Sequence, residues 1–214
     1  MRKSGVIILF SSIFISLLTG CSGQGERGSS DEQSQTINNA GEVSYKYGSE
    51  LADPVEKAFF NHLAQYYGQS FRGKQDFMAE GRESWEHMDF VMHVTALEDD
   101  RIYVPFHLDD DHSRTWMFLV EEGRLRFRHD HRHEDGTPED ITMYGGYGSG
   151  RGTAMKQDFP ADEYTCGLIP TSCHAVWRVE LSENPRTYSY MLFSHDELLF
   201  RGVFDLENPI SNPN

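Results

Sequence analysis

The pattern of apolar and polar positions first predicts a helix. Asp53-Pro54-Val55-Glu56 has the residues of a helix start: Asp as N-cap, Pro at the first helical position and Glu three residues after the cap. Apolar or aromatic residues then recur at helical spacing, and Gly68 can end the helix. The spaced positions are Val55, Ala58, Phe59, His62, Leu63 and Tyr66. The pattern therefore predicts one amphipathic helix.

After Gly68 the period changes to two, which is typical of strands with one buried face. Turn residues such as Glu98-Asp99-Asp100 and Glu122-Gly123 separate the runs. The clearest alternating positions are Met88, Phe90, Met92, Val94, Ala96; Ile102, Val104, Phe106, Leu108; Trp116, Phe118, Val120; Leu125, Phe127; and Ala175, Trp177, Val179, Leu181. Further strands are predicted near 70–79, 141–147, 152–159, 186–193 and 197–205.

Short turns between successive strands favour antiparallel neighbours, and a sheet of this many strands usually closes to remove its edges. We therefore predict a mainly β fold: an antiparallel meander closed into a barrel of roughly 8–10 strands, capped by the N-terminal helix. A β-sandwich is the alternative.

The helical segment followed by Gly68-Gln-Ser-Phe-Arg-Gly73, which opens the meander, resembles the calycin group of lipocalin-like and fatty-acid-binding-like barrels. The usual Gly-x-Trp opening of that group is replaced here by Phe71 in a shifted place. The resemblance implies an architecture and no particular activity.

The chain begins with Met1-Arg2-Lys3 and an apolar run from Val6 to Leu18, which is the order of a secretory signal peptide and is too short for a spanning helix. Leu18-Thr19-Gly20-Cys21 resembles the lipobox of bacterial lipoproteins. This resemblance implies cleavage before Cys21, acyl chains on that cysteine, and a location in the cell envelope. Ser22 resembles the default for outer-membrane delivery in Gram-negative lipoproteins, with the domain facing the periplasm. The alternative is an ordinary signal peptide with a cysteine nearby.

We therefore expect a signal peptide over 1–20, a polar flexible tether over 21–49, a barrel domain over 50–208 and a tail over 209–214. The formal charge of the whole chain is -15, and removing residues 1–20 takes away Arg2 and Lys3 to leave -17. So acidic a surface is repelled by nucleic acid and by anionic headgroups. We expect no nucleic-acid partner, and membrane attachment through the acyl chains alone.

Cys166 and Cys173 remain once Cys21 is assigned to lipid. In an exported domain, two cysteines a short loop apart predict a disulfide bond.

The most informative stretch runs from Leu125 to Gly136, because three histidines follow two apolar residues at period two. Leu125 and Phe127 are expected to face inward, and His129, His131 and His133 to continue that face at the mouth of a cavity, with the arginines between them outside. Imidazoles at this spacing suit an organic ligand, a catalytic role, or a zinc-like divalent metal on His129 and His131 with help from His93, His107, His112 or Asp109. The alternative is a solvated strand end in which histidine alternates with Arg and Asp as polar residues without a functional role.

The glycine-dense run from Tyr144 to Gly152 lacks the ending of a phosphate loop, and we expect either a mobile loop over the barrel mouth or a wide turn. No G-x-S-x-G nucleophile motif is present. The sequence thus favours a non-enzymatic module that needs no cofactor and binds a small, partly apolar ligand through His129, His131, His133, Tyr144, Tyr147 and Arg151. The alternatives are a metal-binding protein or metal-dependent enzyme, and a structural module that contacts another envelope protein.

Overall fold

A computed structural model describes residues 35–37 and 43–211 of the 214-residue chain. The predicted signal peptide, the lipobox ending at Cys21 and most of the predicted tether lie outside these residues. Within the described residues, no helix is long and apolar enough to cross a membrane.

The described chain contains two α-helices, a short 3-10 helix and thirteen strands. A small hairpin pairs β1 (Gln35–Ile37) with β2 (Val43–Tyr45), and α1 (Pro54–Ala64) follows. The main sheet comprises β3 (Ser70–Met78), β4 (Phe90–His93), β5 (Ala96–Leu97), β6 (Arg101–Leu108), β7 (Asp111–Glu121), β8 (Arg124–His131), β9 (Tyr144–Tyr147), β10 (Lys156–Pro160), β11 (Ala175–Glu183), β12 (Arg186–Ser194) and β13 (Glu197–Asp205). Between β10 and β11 lie α2 (Glu163–Leu168) and the 3-10 turn Pro170–Ser172.

Ten of these strands form an antiparallel up-and-down barrel. Each strand pairs with the next along the chain from β6 to β9 and from β10 to β13, β4 joins β3 to β6, and the last strand, β13, returns to pair with β3. The short β5 pairs only with β6. The prediction of a mainly β antiparallel barrel of eight to ten strands is confirmed, and the alternative of two stacked sheets is wrong.

The one interruption in the ring is a seam between β9 and β10. Two backbone hydrogen bonds cross it, from the N–H of Ser149 to the Asp158 carbonyl at 2.8 Å and from the N–H of Asp162 to the Gly145 carbonyl at 3.0 Å. The fully buried hydroxyl of Thr165, on α2, accepts from the Gly145 N–H at 2.7 Å and donates to the Gly145 carbonyl at 2.8 Å. The helix α2 therefore adds two side-chain hydrogen bonds to the two backbone bonds at the seam.

The helix α1 closes one end of the barrel. Asp53 caps it by accepting from the N–H of Val55, as predicted, and Phe59, Phe60 and Leu63 are fully buried. Val55, expected on the apolar face, is exposed. Two polar residues of α1, Glu56 and Asn61, are buried instead. Glu56 accepts a hydrogen bond from the Leu125 N–H at 2.7 Å, and Asn61 bonds the backbone of Tyr47.

The period-two reading of the strands holds for the inner face. The predicted inward residues from Phe90 to Leu181 are buried almost without exception, and aromatic rings fill the barrel above α1, with Phe118, Phe127 and Phe159 in mutual contact. The outer face of β8 differs from expectation. Arg128, predicted to be wet, is 3% exposed because α2 covers it, and its guanidinium donates to Asp162 at 2.6 Å.

Candidate functional site

A cavity of about 400 Å³ lies inside the barrel at the end opposite α1. Eight of the ten ring strands contribute to its wall, and so do the loop between β3 and β4 and the segment after α2. The lining residues are Met78, Arg82, Glu83, Trp85, Phe106, Arg114, Trp116, His129, His131, Tyr144, Ile169, Ser172, Trp177, Tyr190, Leu192 and Phe200.

Aromatic faces form most of the wall. Trp116 stacks on Phe106, with ring centroids 4.8 Å apart and planes at 9°, and on Tyr190, at 4.7 Å and 15°. Tyr144 stacks on His129 at 4.4 Å and 13°. All three tryptophans of the chain, Trp85, Trp116 and Trp177, line this one cavity. Such a wall offers flat, polarisable contact area to a planar ligand.

The polar groups at the bottom of the cavity satisfy one another. A backbone carbonyl can only accept, so the contact of His129 Nδ1 with the Tyr144 carbonyl at 3.2 Å places the ring proton on Nδ1. His129 Nε2 then accepts from the Tyr190 hydroxyl at 2.8 Å. The indole N–H of Trp177 can only donate, and it donates to the Tyr190 oxygen. The chain of donors therefore runs from Trp177 through Tyr190 and His129 to the backbone.

Burial keeps this network neutral. Complete burial lowers the pKa of His129 to about 3, which outweighs the opposite effect of its bond to the Tyr144 backbone. Burial raises the pKa of Tyr144 to about 12, and it raises the pKa of Tyr190 well above its ordinary value. At neutral pH the bottom of the cavity thus carries no charge.

His131 lies nearer the opening. Its Nε2 is 3.1 Å from the Tyr144 hydroxyl, and its Nδ1 is 3.9 Å from a carboxylate oxygen of Glu139. Burial, and then the charge of Arg114, lower its pKa. His131 also lines a second cavity, of about 740 Å³, on the outer side of the same strand ends. Its ring therefore separates the barrel interior from the outside.

Arg114 is the partly buried cation of the cavity wall. It is the cross-strand partner of His131, and its guanidinium lies 5.9 Å from the Trp85 ring centroid. Its Nη1 donates to Asp111. Burial alone would raise the pKa of Asp111, but hydrogen bonds from Ser113 and Arg114 outweigh it and lower the pKa to about 2.

The structure brings three of the predicted site residues together: His129, His131 and Tyr144 share the cavity. His133 does not join them, because β8 ends at His131 and His133 lies exposed in the following turn. Its expected place on the inner face is wrong, since the period-two pattern stops where the strand stops.

Tyr147 and Arg151 also lie away from the cavity. Tyr147 is on the outer face, where the guanidinium groups of Arg124 and Arg126 lie 4.6 and 4.7 Å from its ring centroid. Arg151 lines a separate surface cavity with Asp158 and Arg178. The glycine-dense loop follows β9 at the end closed by α1, where Gly148 packs against Glu56, so it does not cover the opening.

The segment after β10 covers part of the opening. Asp162 holds it by accepting from Arg126 at 3.1 Å and from Arg128 at 2.6 Å, and Ile169 and Ser172 lie in the cavity wall. Cys166 and Cys173 are free thiols in this segment, and their hydrogen bond is the main reason why the pKa of Cys166 is raised to about 11. The disulfide stays a prediction.

Sequence reasoning missed Trp85, Trp116, Trp177, Tyr190 and Arg114 as site residues. Trp116 and Trp177 stand at inward positions that the alternation identified, but nothing local distinguishes a cavity wall from a packed core. Arg114 lies two residues before Trp116 on β7 and so shares its inward side of the strand. A cation at an inward position was the one sequence signal that could have identified Arg114 as a site residue.

No group of three or more His, Cys, Asp or Glu side chains within 35–37 and 43–211 is arranged to hold a metal ion. His93, His107 and His112 come together, but on the outer face of the barrel and apart from His129. His93 Nε2 is 3.1 Å from His107 Nδ1, and the His107 and His112 rings stack at 3.7 Å. That His129 and His131 bind a divalent metal ion stays a prediction.

Comparison with known proteins gives no identity. No protein-family model matches the chain, and no curated protein or solved structure shows significant similarity to it.

Proposed function

We propose that this protein binds a small, planar, partly apolar molecule inside its barrel and that it does so without catalysing a reaction. The observation that carries the proposal is the cavity of about 400 Å³, whose wall is built by eight strands and is largely aromatic. Ligand pockets span about 300–1,000 Å³ and combine apolar walls with a few polar groups. A barrel that serves only as a structural contact needs no such space.

The distribution of apolar and polar groups along the cavity supports a ligand with one apolar end and one polar end. Deep in the cavity, His129 and Tyr190 satisfy each other, so an incoming group meets aromatic faces there and no unpaired donor. Near the opening, His131, Arg114 and Ser172 offer polar atoms. A molecule with an apolar ring and one polar substituent fits this gradient, with the ring innermost.

We further propose that the protein works in the cell envelope, held by acyl chains on Cys21. The support is the sequence Leu18-Thr19-Gly20-Cys21 behind a signal-peptide pattern, together with the barrel's resemblance to calycin-like binding proteins. A tethered binding module of this kind carries its ligand at a membrane surface.

The cavity is tested directly, because every tryptophan of the chain lines it. The full-length chain, purified from its own host, is examined by native mass spectrometry for a co-purifying small molecule. The same preparation is then titrated with naphthalene-2-methanol, with tryptophan fluorescence and calorimetry as readouts. We expect quenching that saturates with a Kd of about 100 µM or tighter.

Two matched variants locate the binding. Leu192→Phe adds a ring inside the cavity and should weaken binding at least about tenfold. Val176→Phe adds the same ring on the outer face of the neighbouring strand and should leave binding unchanged. Equal effects of both variants, or no saturable binding by any probe or native molecule, would reject the proposed function.

Anchoring is tested by the mass of the N-terminal peptide. The chain expressed in a Gram-negative host should yield an acylated peptide beginning at Cys21, and Cys21→Ser should abolish acylation and release the protein from the membrane fraction. A peptide that begins elsewhere, or carries no acyl chain, refutes the anchor and leaves the cavity unaffected.

A further inference from the structure

The charges around the opening indicate which polar substituent the cavity favours in a ligand. Deep in the cavity, His129, Tyr144 and Tyr190 contribute no charge at neutral pH, as their pKa shifts require. Arg82 and Glu83 are adjacent, exposed and opposite in charge, so they offset each other at the rim. Arg114 is the charged residue of the barrel wall itself, and its partner Asp111 lies outside this cavity.

Arg114 is placed to bind an anion from inside the barrel. Its position on β7 has the inward parity of Trp116 and Phe118, and it lies directly opposite His131 on β8. Arg114 lines both cavities, whereas Asp111, which accepts from its Nη1, lines only the second cavity on the outer side. A guanidinium has five N–H donors in a planar fork, so the bond to Asp111 leaves donors for a second carboxylate.

The neighbouring groups favour an anion over a cation at this position. A cationic ligand could use the aromatic wall, but it would have to approach the guanidinium that already lies over Trp85. Burial and Arg114 both keep His131 neutral, so its ring can donate or accept a hydrogen bond without adding repulsion. The net negative charge of the protein disfavours the approach of an anion. The guanidinium of Arg114 in the cavity wall opposes this repulsion locally.

We propose that the ligand is an aromatic monoanion, such as an arene carboxylate, whose ring lies among Trp116, Trp177 and Tyr190 and whose carboxylate is bound by Arg114. This inference rests on the proposed binding function and adds the ligand's charge and the residue that selects it.

Three probes of one ring system test the charge. They are 2-naphthoate, naphthalene-2-methanol and 2-naphthylmethylammonium, each titrated into the full-length chain by calorimetry at constant ionic strength. We expect 2-naphthoate to bind at least about tenfold more tightly than the alcohol, which corresponds to about 1.4 kcal/mol, and the ammonium to bind most weakly.

Two variants that remove the same charge distinguish direct contact with the ligand from long-range electrostatic attraction. Arg114→Gln should bring the affinity for 2-naphthoate to within about twofold of the affinity for the alcohol measured on the same variant, and saturable binding of the alcohol shows that the cavity is intact. Arg132→Gln removes the same charge from an exposed side chain that pairs with Asp130 outside the cavity, and it should preserve the preference. Asp111→Asn removes the competing carboxylate and should tighten 2-naphthoate binding.

The outcomes distinguish the two proposals. If the alcohol or the ammonium binds as well as 2-naphthoate, or if Arg114→Gln leaves the preference intact, the aromatic-anion inference is wrong and the cavity function stands. If none of the three probes binds and no molecule co-purifies, both proposals fail.

Discussion

The hydroxyl of Thr165 adds two hydrogen bonds to the two backbone bonds that cross the seam between β9 and β10, which makes Thr165 the most revealing position to change. Thr165→Val preserves the shape of the side chain but removes both hydrogen bonds to Gly145. The Gly145 carbonyl keeps its bond from the Asp162 N–H, whereas the Gly145 N–H loses its partner in a buried place. A buried donor left without a partner costs about 1–3 kcal/mol, so we expect the free energy of unfolding to fall by about 2 kcal/mol.

The matched control is Thr165→Ser, which keeps the hydroxyl and loses one buried methyl group. Its expected cost is about 1 kcal/mol, from lost apolar burial alone. Urea unfolding followed by tryptophan fluorescence measures both variants, because all three tryptophans lie in the barrel. For a domain of this size, the valine variant should also lower the Tm by about 4–8 °C.

Amide hydrogen exchange provides the local reading. The Gly145 N–H should exchange faster in the valine variant than in the serine variant, since only the latter retains its acceptor. If Thr165→Ser is as destabilising as Thr165→Val, or if the valine variant is within about 0.5 kcal/mol of wild type, the hydroxyl does not hold the seam and the reasoning is wrong.

Three further predictions follow from the network and the covering segment. The pKa of His129 falls from an ordinary 6.5 to about 3 on folding, so below pH 6.5 the unfolded chain binds a proton that the folded chain does not. The free energy of unfolding should therefore fall by up to about 1.4 kcal/mol per pH unit as the pH drops from 6.5 to about 3. His129→Gln should flatten that dependence in urea titrations across pH, and an unchanged slope would contradict the assignment. Tyr190→Phe leaves His129 Nε2 without its donor and should cost about 1–2 kcal/mol, against a negligible cost for Tyr147→Phe on the outer face, where the hydroxyl contact to Glu121 is long at 3.5 Å. Chain exported to an oxidising compartment should show no alkylatable thiol at Cys166 or Cys173 by mass spectrometry, and reduction should lower stability by about 2 kcal/mol; two freely alkylated thiols would refute the disulfide.

The strands could be predicted from the sequence because period two is a local signal. Ile102, Val104 and Phe106 need only their own neighbours to identify the buried face, and the same rule placed His129 and His131 correctly. The rule does not give the end of a strand. His133 continues the alternating sequence pattern of β8, but the strand ends at His131, and the His133 side chain is exposed to solvent.

The remaining differences arise from contacts distant in sequence. Arg128 is buried because α2, more than thirty residues later, covers the outer face of β8. The end of the barrel at which Tyr147 and Arg151 lie depends on the direction of β9, which periodicity cannot give. Trp85 reaches the cavity from a long loop with no regular pattern, so only the folded chain reveals that it belongs to the site.

The chain enters the barrel at the end that α1 closes. The Gly48 N–H bonds the Asp99 carbonyl and the Ala52 N–H bonds the Gly123 carbonyl, both at turns of that end. The opening lies at the far end, past the whole length of the strands. An attachment through the N-terminal side would therefore act on the end of the barrel that α1 closes, and not on the end that holds the opening.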